Sequence, residues 1–523
     1  QAAFEEAVKI CPKNPEYLFN LGNAYYAQGL FHKALKSFEG SLHIKQDSEA
    51  HHNAANTHKK LNQFSQAKVH YEKALEGTEY QIHTVVELIQ LKQITCDWIG
   101  LNELIIVLRD HIRSKKPGKI PPFAVLSMPG LSAKDHLNVT SSWIKSSGIK
   151  TAAIKEKYKH NPKAVIGYMS ADFRLHPLYF LIRDILKNHD SNKFVIKLLY
   201  SGKDDGSNEH QEFKSIGANF INISKQSDEE LNTILTNENI DILVDLSGFT
   251  MHSRSLITAY KPAKVTINWL GFPASMGFLG TEPLFDYILA DSYIIPKEME
   301  SDYAEKIIRL PGCYQPNIGD RPAPESQNKS CYGIDNNAFV FASFGQSVKI
   351  TESIFKVWMK LLKQKESSIL WLLESNAQAK TNILEFSEKE GINPNRIKFA
   401  PKVSFQDHIN RHSVVDLFLD TYPYNAHTSS SDAVWAGCPV LTLTGETFAS
   451  RVAGSILKEV GCEMLITRNE DEYYQTALAL SNDSAQLNNV REMVLRGKEN
   501  SSLFKTPNFI KKLENVYLGL LQK

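Results

Sequence analysis

An α-helical repeat array followed by two α/β domains, each built on a mostly parallel sheet, is the fold class this 523-residue sequence predicts. Three observations predict it. Residues 1 to about 80 repeat with a period of about 34. Residues 81–160 keep an apolar stripe of 3.6-residue spacing but lose the repeat. From Ala164 onward short apolar runs alternate with helix-like and turn segments, in one series over 161–325 and a second over 326–523.

In the repeats, Asn20, Leu21, Gly22, Asn23, Tyr25, Phe31, Ala34, Phe38 and Ser41 return as Asn53, Ala54, Ala55, Asn56, His58, Phe64, Ala67, Tyr71 and Ala74. An earlier half-repeat ends with Phe4, Ala7 and Pro12. Small residues where two helices cross, with aromatics filling the gap between pairs, are what tetratricopeptide repeats need. The connector VVELIQLKQITCDWIGLNELIIVLRDHI reads as helix, and SKKPGKIPPFAVLSMPG after it carries the Pro and Gly punctuation of a hinge or of a rigidly packed loop.

The first α/β series runs AVIGYMSADF, KFVIKLLY, GANFINIS, IDILVDLSG, KVTINWLGFP and DYILAD; the second runs FVFASFG, SSILWLLES, RIKFAP, VVDLFLDT, PVLTLTG and EMLIT. Two such domains predict a ligand cleft between the carboxyl edges of their strands. The break between them is placed near residues 318 to 330, which are polar and Pro-containing.

Composition narrows the function classes. A chain that is 42% hydrophobic and 22% charged has apolar surface for two to four cores and is neither disordered nor fibrous. A formal net charge of +1 gives no global basic field for nucleic acid. The six cysteines show no C-x-x-C pair and read as reduced, buried thiols of an intracellular, cytoplasmic protein. No apolar run approaches the roughly 20 residues of a membrane span, so no membrane partner is expected. QAAFEEAVKI is no signal peptide and starts in mid-helix, as if sequence preceded it.

The chemistry concentrates between Tyr424 and Gly454. Asn425 to Ser431 form a small polar run that feeds an apolar helical pattern at Ala433, Val434 and Trp435; Gly437-Cys438-Pro439 stops it, and Val440 to Leu443 read as a strand. A helix N-terminus of this kind offers unpaired amides and partial positive charge, a docking place for a diphosphate without a metal. Hydroxyls of Thr428 to Ser431 would add donors, and Asp432 would accept from ribose. On local chemistry alone the same residues also fit a plain N-cap on a buried helix.

NAHTSSSDAVWAG together with GETFASRVAGS resembles the sugar-nucleotide site of the O-linked N-acetylglucosamine transferase family, a metal-independent group with the GT-B fold that glycosylates protein Ser and Thr. The related protein O-fucosyltransferases of the SPINDLY type lack the His-Thr-x-x-x-Asp spacing and the second block, so the likeness favours a UDP-sugar donor. It implies a tetratricopeptide solenoid followed by two Rossmann-like domains with an interdomain cleft. It also implies inverting transfer from UDP-N-acetylglucosamine, with no cofactor and no metal. No D-x-D motif and no His, Cys or carboxylate cluster of metal spacing occurs in the sequence.

The resemblance assigns residues. His176, in a D-F-x-x-H-P pattern after the first strand, matches a catalytic-base candidate, and Phe180 replaces a second His found four residues later in the family. Lys349, in a block resembling F-N-Q-x-x-K-I, would neutralise the departing phosphate, with Gln346 binding beside it; Gly345 and Val348 depart from the block. His408 and Arg411, which share a helix face, match positions that hold the uracil and the catalytic region together. His427, Thr428, Ser429 and Asp432 complete the nucleotide set. Thr250 and Pro273, in turns at strand ends, would shape the sugar pocket, with Ala274 and Ser275 standing where the family has Gly-Thr; turn chemistry alone also explains the neighbouring glycines. Asn20, Asn23, Asn53 and Asn56 match the groove asparagines that hold an extended protein acceptor. The repeats are also a place for oligomer contacts. Three alternatives stay open: another donor, giving a protein O-fucosyl- or O-glucosyltransferase; an enzyme acting on polysaccharides or small glycosides; and a repeat-based adaptor with an inactive GT-B core, for which Phe180, Gly345 and Val348 argue.

Overall fold

The computed structural model describes residues 1–76, 81–116, 118–150, 161–216 and 219–522, so the boundaries expected at 80 and near 160 fall on residues outside those described. Two compact units form: one of Gln1–Ile120 with Gln346–Glu352 and Ser375–Phe386, the other of Pro121–Gly345, Ser353–Glu374 and Ser387–Lys523.

In the first unit antiparallel helix pairs stack in chain order: Pro15–Ala27 with Phe31–Ile44, Ser48–Lys60 with Phe64–Ala74, then Ile82–Ile94 with Leu101–Arg113. Asn14 caps the first of these from its side chain with Pro15 at N1, and Asp47 caps Ser48–Lys60. The spacing that defined the repeat is the spacing that packs it. Ala34, Phe38, Leu42, Ala50 and Ala54 form one buried cluster, and Ala55, Ala67, Tyr71, Leu88 and Leu91 the next. A Cβ at Gly22 would stand 2.6 Å from the Phe38 ring, so that crossing needs glycine.

Among the described residues of the second unit the strands are β1 (Ala164–Ser170), β2 (Phe194–Tyr200), β3 (Phe220–Asn222), β4 (Ile242–Asp245), β5 (Val265–Asn268), the hairpin strands β6 (Phe278–Leu279) and β7 (Glu282–Pro283), β8 (Tyr287–Asp291), β9 (Lys306–Leu310), β10 (Phe339–Ser343), β11 (Ser368–Leu373), β12 (Ile397–Ala400), β13 (Leu417–Leu419), β14 (Val440–Leu443) and β15 (Ile466–Thr467). The first large sheet has the order β3-β2-β1-β4-β5-β8-β9 and the second β12-β11-β10-β13-β14-β15, with parallel pairing throughout. Strand order reverses beside β1 in the first sheet and beside β10 in the second. Parallel sheets of this kind leave their ligand crevices at the carboxyl ends next to such reversals, here β1/β4 and β10/β13.

Of the two readings left open for the loop after residue 114, packing holds at Pro122–Ser127. That turn buries Ala124, Val125 and Leu126, and Leu126 joins the core that contains Phe272, Met276 and Tyr424. The C-terminal helix Thr506–Leu521 returns to the first sheet, where the Tyr517 hydroxyl meets that of Tyr168 at 3.0 Å and Glu514 pairs with His189. All six cysteines are free; Cys96, Cys313, Cys438 and Cys462 are buried, four as the apolar and strand-like contexts suggested, whereas Cys11 and Cys331 are exposed.

Candidate functional site

The second sheet builds its carboxyl edge around a buried acid that the sequence reading missed. Asp420, next after β13, accepts from the amides of Thr421 (2.7 Å) and Ala426 (2.6 Å) and from the Thr442 hydroxyl on β14 (2.6 Å). These bonds fold residues 420–427 into a tight loop that delivers the chain to the helix Thr428–Trp435. Asn425 is spent inside the loop, its side-chain amide donating to the carbonyl of Thr421 at 2.9 Å. No side chain caps the helix N-terminus, which His427 precedes in a non-helical conformation. The His427 ring lies 4.9 Å from that of Tyr424, and its Nε2 approaches the Ala449 carbonyl at 3.3 Å.

Helical rotation divides the four hydroxyls. Thr428 and Ser429 are half-buried, but Ser430 and Ser431 turn to the core and are fully buried, which corrects the expectation that all four face a ligand. The Ser431 hydroxyl accepts from the Gln315 side chain at 2.7 Å.

Asp432 is corrected too. It was expected to accept from ribose, yet it sits inside a charge network, where Oδ1 takes a hydrogen bond from Arg321 Nη1 at 2.5 Å and Oδ2 faces His408 Nε2 at 3.3 Å. Burial alone would raise its pKa, but His408 and Arg321 outweigh burial and hold the carboxyl below the usual range. Arg411 donates from Nη2 to His408 Nδ1, so the neutral His408 ring carries its proton on Nε2, toward Asp432. The Arg411 guanidinium lies over the Phe344 ring, 4.2 Å from its centroid, and burial draws its pKa down to about 10, still cationic at neutral pH. His412 donates from Nδ1 to the His408 carbonyl at 2.7 Å, and burial lowers its pKa to about 3, so it stays neutral. His408 and Arg411 are thus brought together as their spacing suggested, and Asp432, Arg321, His412 and Phe344 join them.

Arg321 comes from the segment expected to be a polar break between domains. Gly319 and Asp320 are exposed there, but Arg321 is buried, as are Gln315 and Asn317 just before the segment, and the Pro322 carbonyl accepts from the Trp435 indole at 2.8 Å. Polar residues are used there because the helix Thr428–Trp435 presents a carboxylate, a hydroxyl and an indole that need partners.

At the first sheet, His176 lies in the loop between β1 and the helix Tyr179–Lys187. Its Nδ1 accepts the Leu178 amide at 3.3 Å, which leaves the proton of the neutral ring on Nε2. Burial lowers its pKa, with Asp172 opposing and Arg174 reinforcing the shift. In this tautomer His176 is a donor, whereas the base role needs a free lone pair on Nε2. Phe180 stacks on Phe405 with centroids 4.0 Å apart, which accounts for an aromatic ring where the family pattern has a second His.

The turn after β4 is fixed by Asp245, whose Oδ1 accepts from Ser247 and Gly248 and whose Oδ2 accepts from the Ser255 hydroxyl. Gly248 has φ +57° and Gly271 has no room for a Cβ, which would lie 2.0 Å from the Leu246 carbonyl. Thr250 is half-buried, its hydroxyl enclosed with no partner among the described residues, and Pro273 is buried. Ser275 faces inward, donating to Glu305 Oε2 at 2.7 Å, while Oε1 of the same acid accepts the Met276 amide at 2.5 Å.

Gln346 and Lys349 belong to the helical unit. Gln346 is exposed and precedes the turn Ser347–Lys349, and Lys349 is half-buried. Among the groove asparagines, the Asn53 side-chain amide donates to Asn23 Oδ1 at 2.8 Å and Asn20 is half-buried. Asn56 does not stand free for an acceptor. Its amide meets His52 Nε2 at 2.9 Å and its oxygen accepts from the Tyr71 hydroxyl at 2.6 Å, because an aromatic and a His fill the helix crossing around it.

Arg321, Asp420, Asp245 and Glu305 escaped the sequence reading; an acid immediately after or near the end of an apolar strand was the available signal for Asp420 and Asp245. Among the described residues no group of three His, Cys, Asp or Glu is placed to hold a metal ion, and no helix is long and apolar enough to cross a membrane.

Known proteins resemble the chain over this whole framework. Residues 138–323 and 325–513 match glycosyl transferase family 41, residues 2–29 match a TPR repeat and 48–76 a tetratricopeptide repeat. The Arabidopsis thaliana protein named probable UDP-N-acetylglucosamine--peptide N-acetylglucosaminyltransferase SEC is 30% identical over 362 residues, 68% of this chain and 37% of that protein. The correspondingly named SPINDLY protein of Solanum lycopersicum is 29% identical over 373 residues, 69% of this chain and 39% of that protein. The chain thus spans well under half the length of these relatives. A mutant O-GlcNAc transferase from Thermobaculum terrenum has the same fold, with a TM-score of 0.77 at 22% identity over 97% of both chains. Tetratricopeptide helices followed by two parallel-sheet Rossmann-like halves of GT-B type, with the family match running through both halves, place this chain in glycosyl transferase family 41.

Proposed function

We propose that the chain transfers N-acetylglucosamine from UDP to Ser or Thr hydroxyls of proteins, with inversion, without a metal and in the cytoplasm. The observation that carries the proposal is the uncapped start of the helix Thr428–Trp435, held at a sheet's carboxyl edge by Asp420 in a chain of this family. Amides and half-exposed hydroxyls at such a start suit a diphosphate. The printed names of the relatives support the donor and the protein acceptor.

In this reading the acceptor hydroxyl oxygen bonds to the anomeric carbon as the bond from that carbon to the β-phosphate oxygen breaks, and UDP leaves with the electron pair. The Lys349 amine and the helix amides stabilise the charge that develops on the phosphate. The hydroxyl proton passes to the departing phosphate, and His176, protonated on Nε2, donates a hydrogen bond to the sugar or acceptor rather than taking that proton. Asp432 orders His408 and Arg411 for the base and sugar of the nucleotide instead of binding ribose. Asn20, Asn23 and Asn53 hold an extended acceptor segment, with Asn56 as packing.

The test is incubation with labelled UDP-N-acetylglucosamine, UDP-glucose or GDP-fucose and a protein lysate. Label in protein from the first donor alone is expected. Preference for another sugar overturns the donor assignment, and nucleotide binding with no labelled protein from any donor makes the chain an adaptor.

A further inference from the structure

Every helix ends with carbonyls that lack partners within the helix. At the end of Ile82–Ile94 in the helical unit those partners come from far along the chain. The Ile94 carbonyl accepts from the Ser347 hydroxyl at 2.7 Å and from the Asn376 side chain at 3.0 Å, and the Thr95 carbonyl accepts from Asn382 at 2.8 Å. The chain then turns sharply through Cys96, whose φ is +51°, with Asp97 Oδ2 gathering Lys68 at 2.7 Å and Lys92 at 2.8 Å. This turn presents two further donors. The Cys96 thiol reaches the Ser347 carbonyl at 3.7 Å, and the Trp98 indole N–H donates to the Ile350 carbonyl at 3.2 Å. Trp98 is buried, its ring edge-on to Phe386 with centroids 4.9 Å apart.

Ser347 and Ile350 flank Lys349. The turn between them is closed by the Lys349 amide to the Gln346 carbonyl at 3.0 Å and the Ile350 amide to the Ser347 carbonyl at 2.9 Å. Both ends of this turn are therefore fastened to residues 94–98, and the lysine stands between the fastenings.

We propose that Trp98 is a positioning residue for the Lys349 amine, acting through the Ile350 carbonyl, with Ser347 fixing the other end of the turn. The inference rests on the charge-stabilising role given to Lys349 above. Its consequence is that the helical unit is part of the catalytic apparatus as well as a holder of acceptors. Sugar-nucleotide hydrolysis, which uses no protein acceptor, must then also depend on the turn at residues 95–98.

The test measures UDP release from UDP-N-acetylglucosamine without acceptor, in the full chain, for Trp98→Phe, Ser347→Ala, Ser347→Thr, Lys349→Met and Trp98→Phe combined with Lys349→Met. Phenylalanine keeps a six-membered ring beside Phe386 and removes the N–H donor together with the pyrrole part of the indole. Expected is a kcat lower by about tenfold or more in Trp98→Phe, since small misplacement of a reacting group costs rate steeply. The donor KM should stay close to that of the wild type, the urea midpoint should fall modestly because the Ile350 carbonyl loses its donor and a smaller ring fills the site, and Ser347→Thr should restore what Ser347→Ala loses. In the Lys349→Met background the Trp98 change should cost nothing further, because the group it positions is gone. Unchanged hydrolysis in Trp98→Phe, or an equal loss in both backgrounds, overturns the assignment. A wild type that turns over normally with no loss in Lys349→Met overturns instead the role of Lys349 on which it rests.

Discussion

Arg321 and Asp432, 111 residues apart, meet as a buried ion pair with Nη1 to Oδ1 at 2.5 Å. The guanidinium is held further by Asn317 Oδ1 at 2.7 Å and lies against the Phe504 ring. The Arg321 side chain is fully buried and that of Asp432 nearly so, which leaves little water to replace either partner. Arg321→Ala is therefore expected to destabilise the protein by about 3–5 kcal/mol, the usual cost of stranding a buried charge. Adding Asp432→Asn should recover part of that loss. Urea denaturation of the single and double variants measures both.

Lys349→Met is expected to lower sugar transfer by about two orders of magnitude with a donor KM within a few-fold of wild type, since the interaction lost is one made as charge develops on the phosphate. A rise in KM with an unchanged kcat would assign the amine to ground-state binding. Initial rates across a range of UDP-N-acetylglucosamine concentrations distinguish the two.

Asp420→Ala should leave the amides of Thr421 and Ala426 and the Thr442 hydroxyl buried without their acceptor. Each such group costs about 1–3 kcal/mol, so a loss of several kcal/mol is expected in chemical denaturation. UDP affinity should fall as well, because the loop that starts the helix Thr428–Trp435 is the part released; calorimetric titration reads it.

Glu305 gives a pH signature. Burial pushes its carboxyl up to about 7, although the Ser275 hydroxyl and the Met276 amide oppose the rise. The folded state thus binds this proton more tightly than the unfolded chain, where a glutamate titrates near about 4.3. Its contribution to stability is intact below that pH, declines as pH rises toward 7, and is level above. The swing is at most about 4 kcal/mol at 1.36 kcal/mol per pH unit. Glu305→Gln should gain stability relative to the wild type across that interval, in urea midpoints taken at several pH values.

The architecture was legible because repetition and strand texture are local. Ala34, Phe38, Ala67 and Tyr71 announce helix crossings by spacing, and runs such as FVFASFG announce buried parallel strands. The site was legible in part for the same reason: His408 and Arg411 are three residues apart on one helix. What stayed hidden depends on partners distant in sequence. Nothing near Asp432 reveals that Arg321 will reach it, nothing near Ser431 reveals Gln315, and Asn56 differs from Asn53 only through the His52 and Tyr71 that the fold brings beside it. Hydroxyls at 428–431 look equivalent until helical rotation sends two of them inward.

The segment from Gln315 to Pro322 touches the helix Thr428–Trp435 at Ser431, Asp432 and Trp435. With about 100° of rotation per residue, a single-residue insertion between Asp432 and Trp435 would swing the indole out of reach while the other two contacts stayed in phase. Length, more than identity, is thus what this helix is least free to change; relatives should tolerate substitution here far better than a gap.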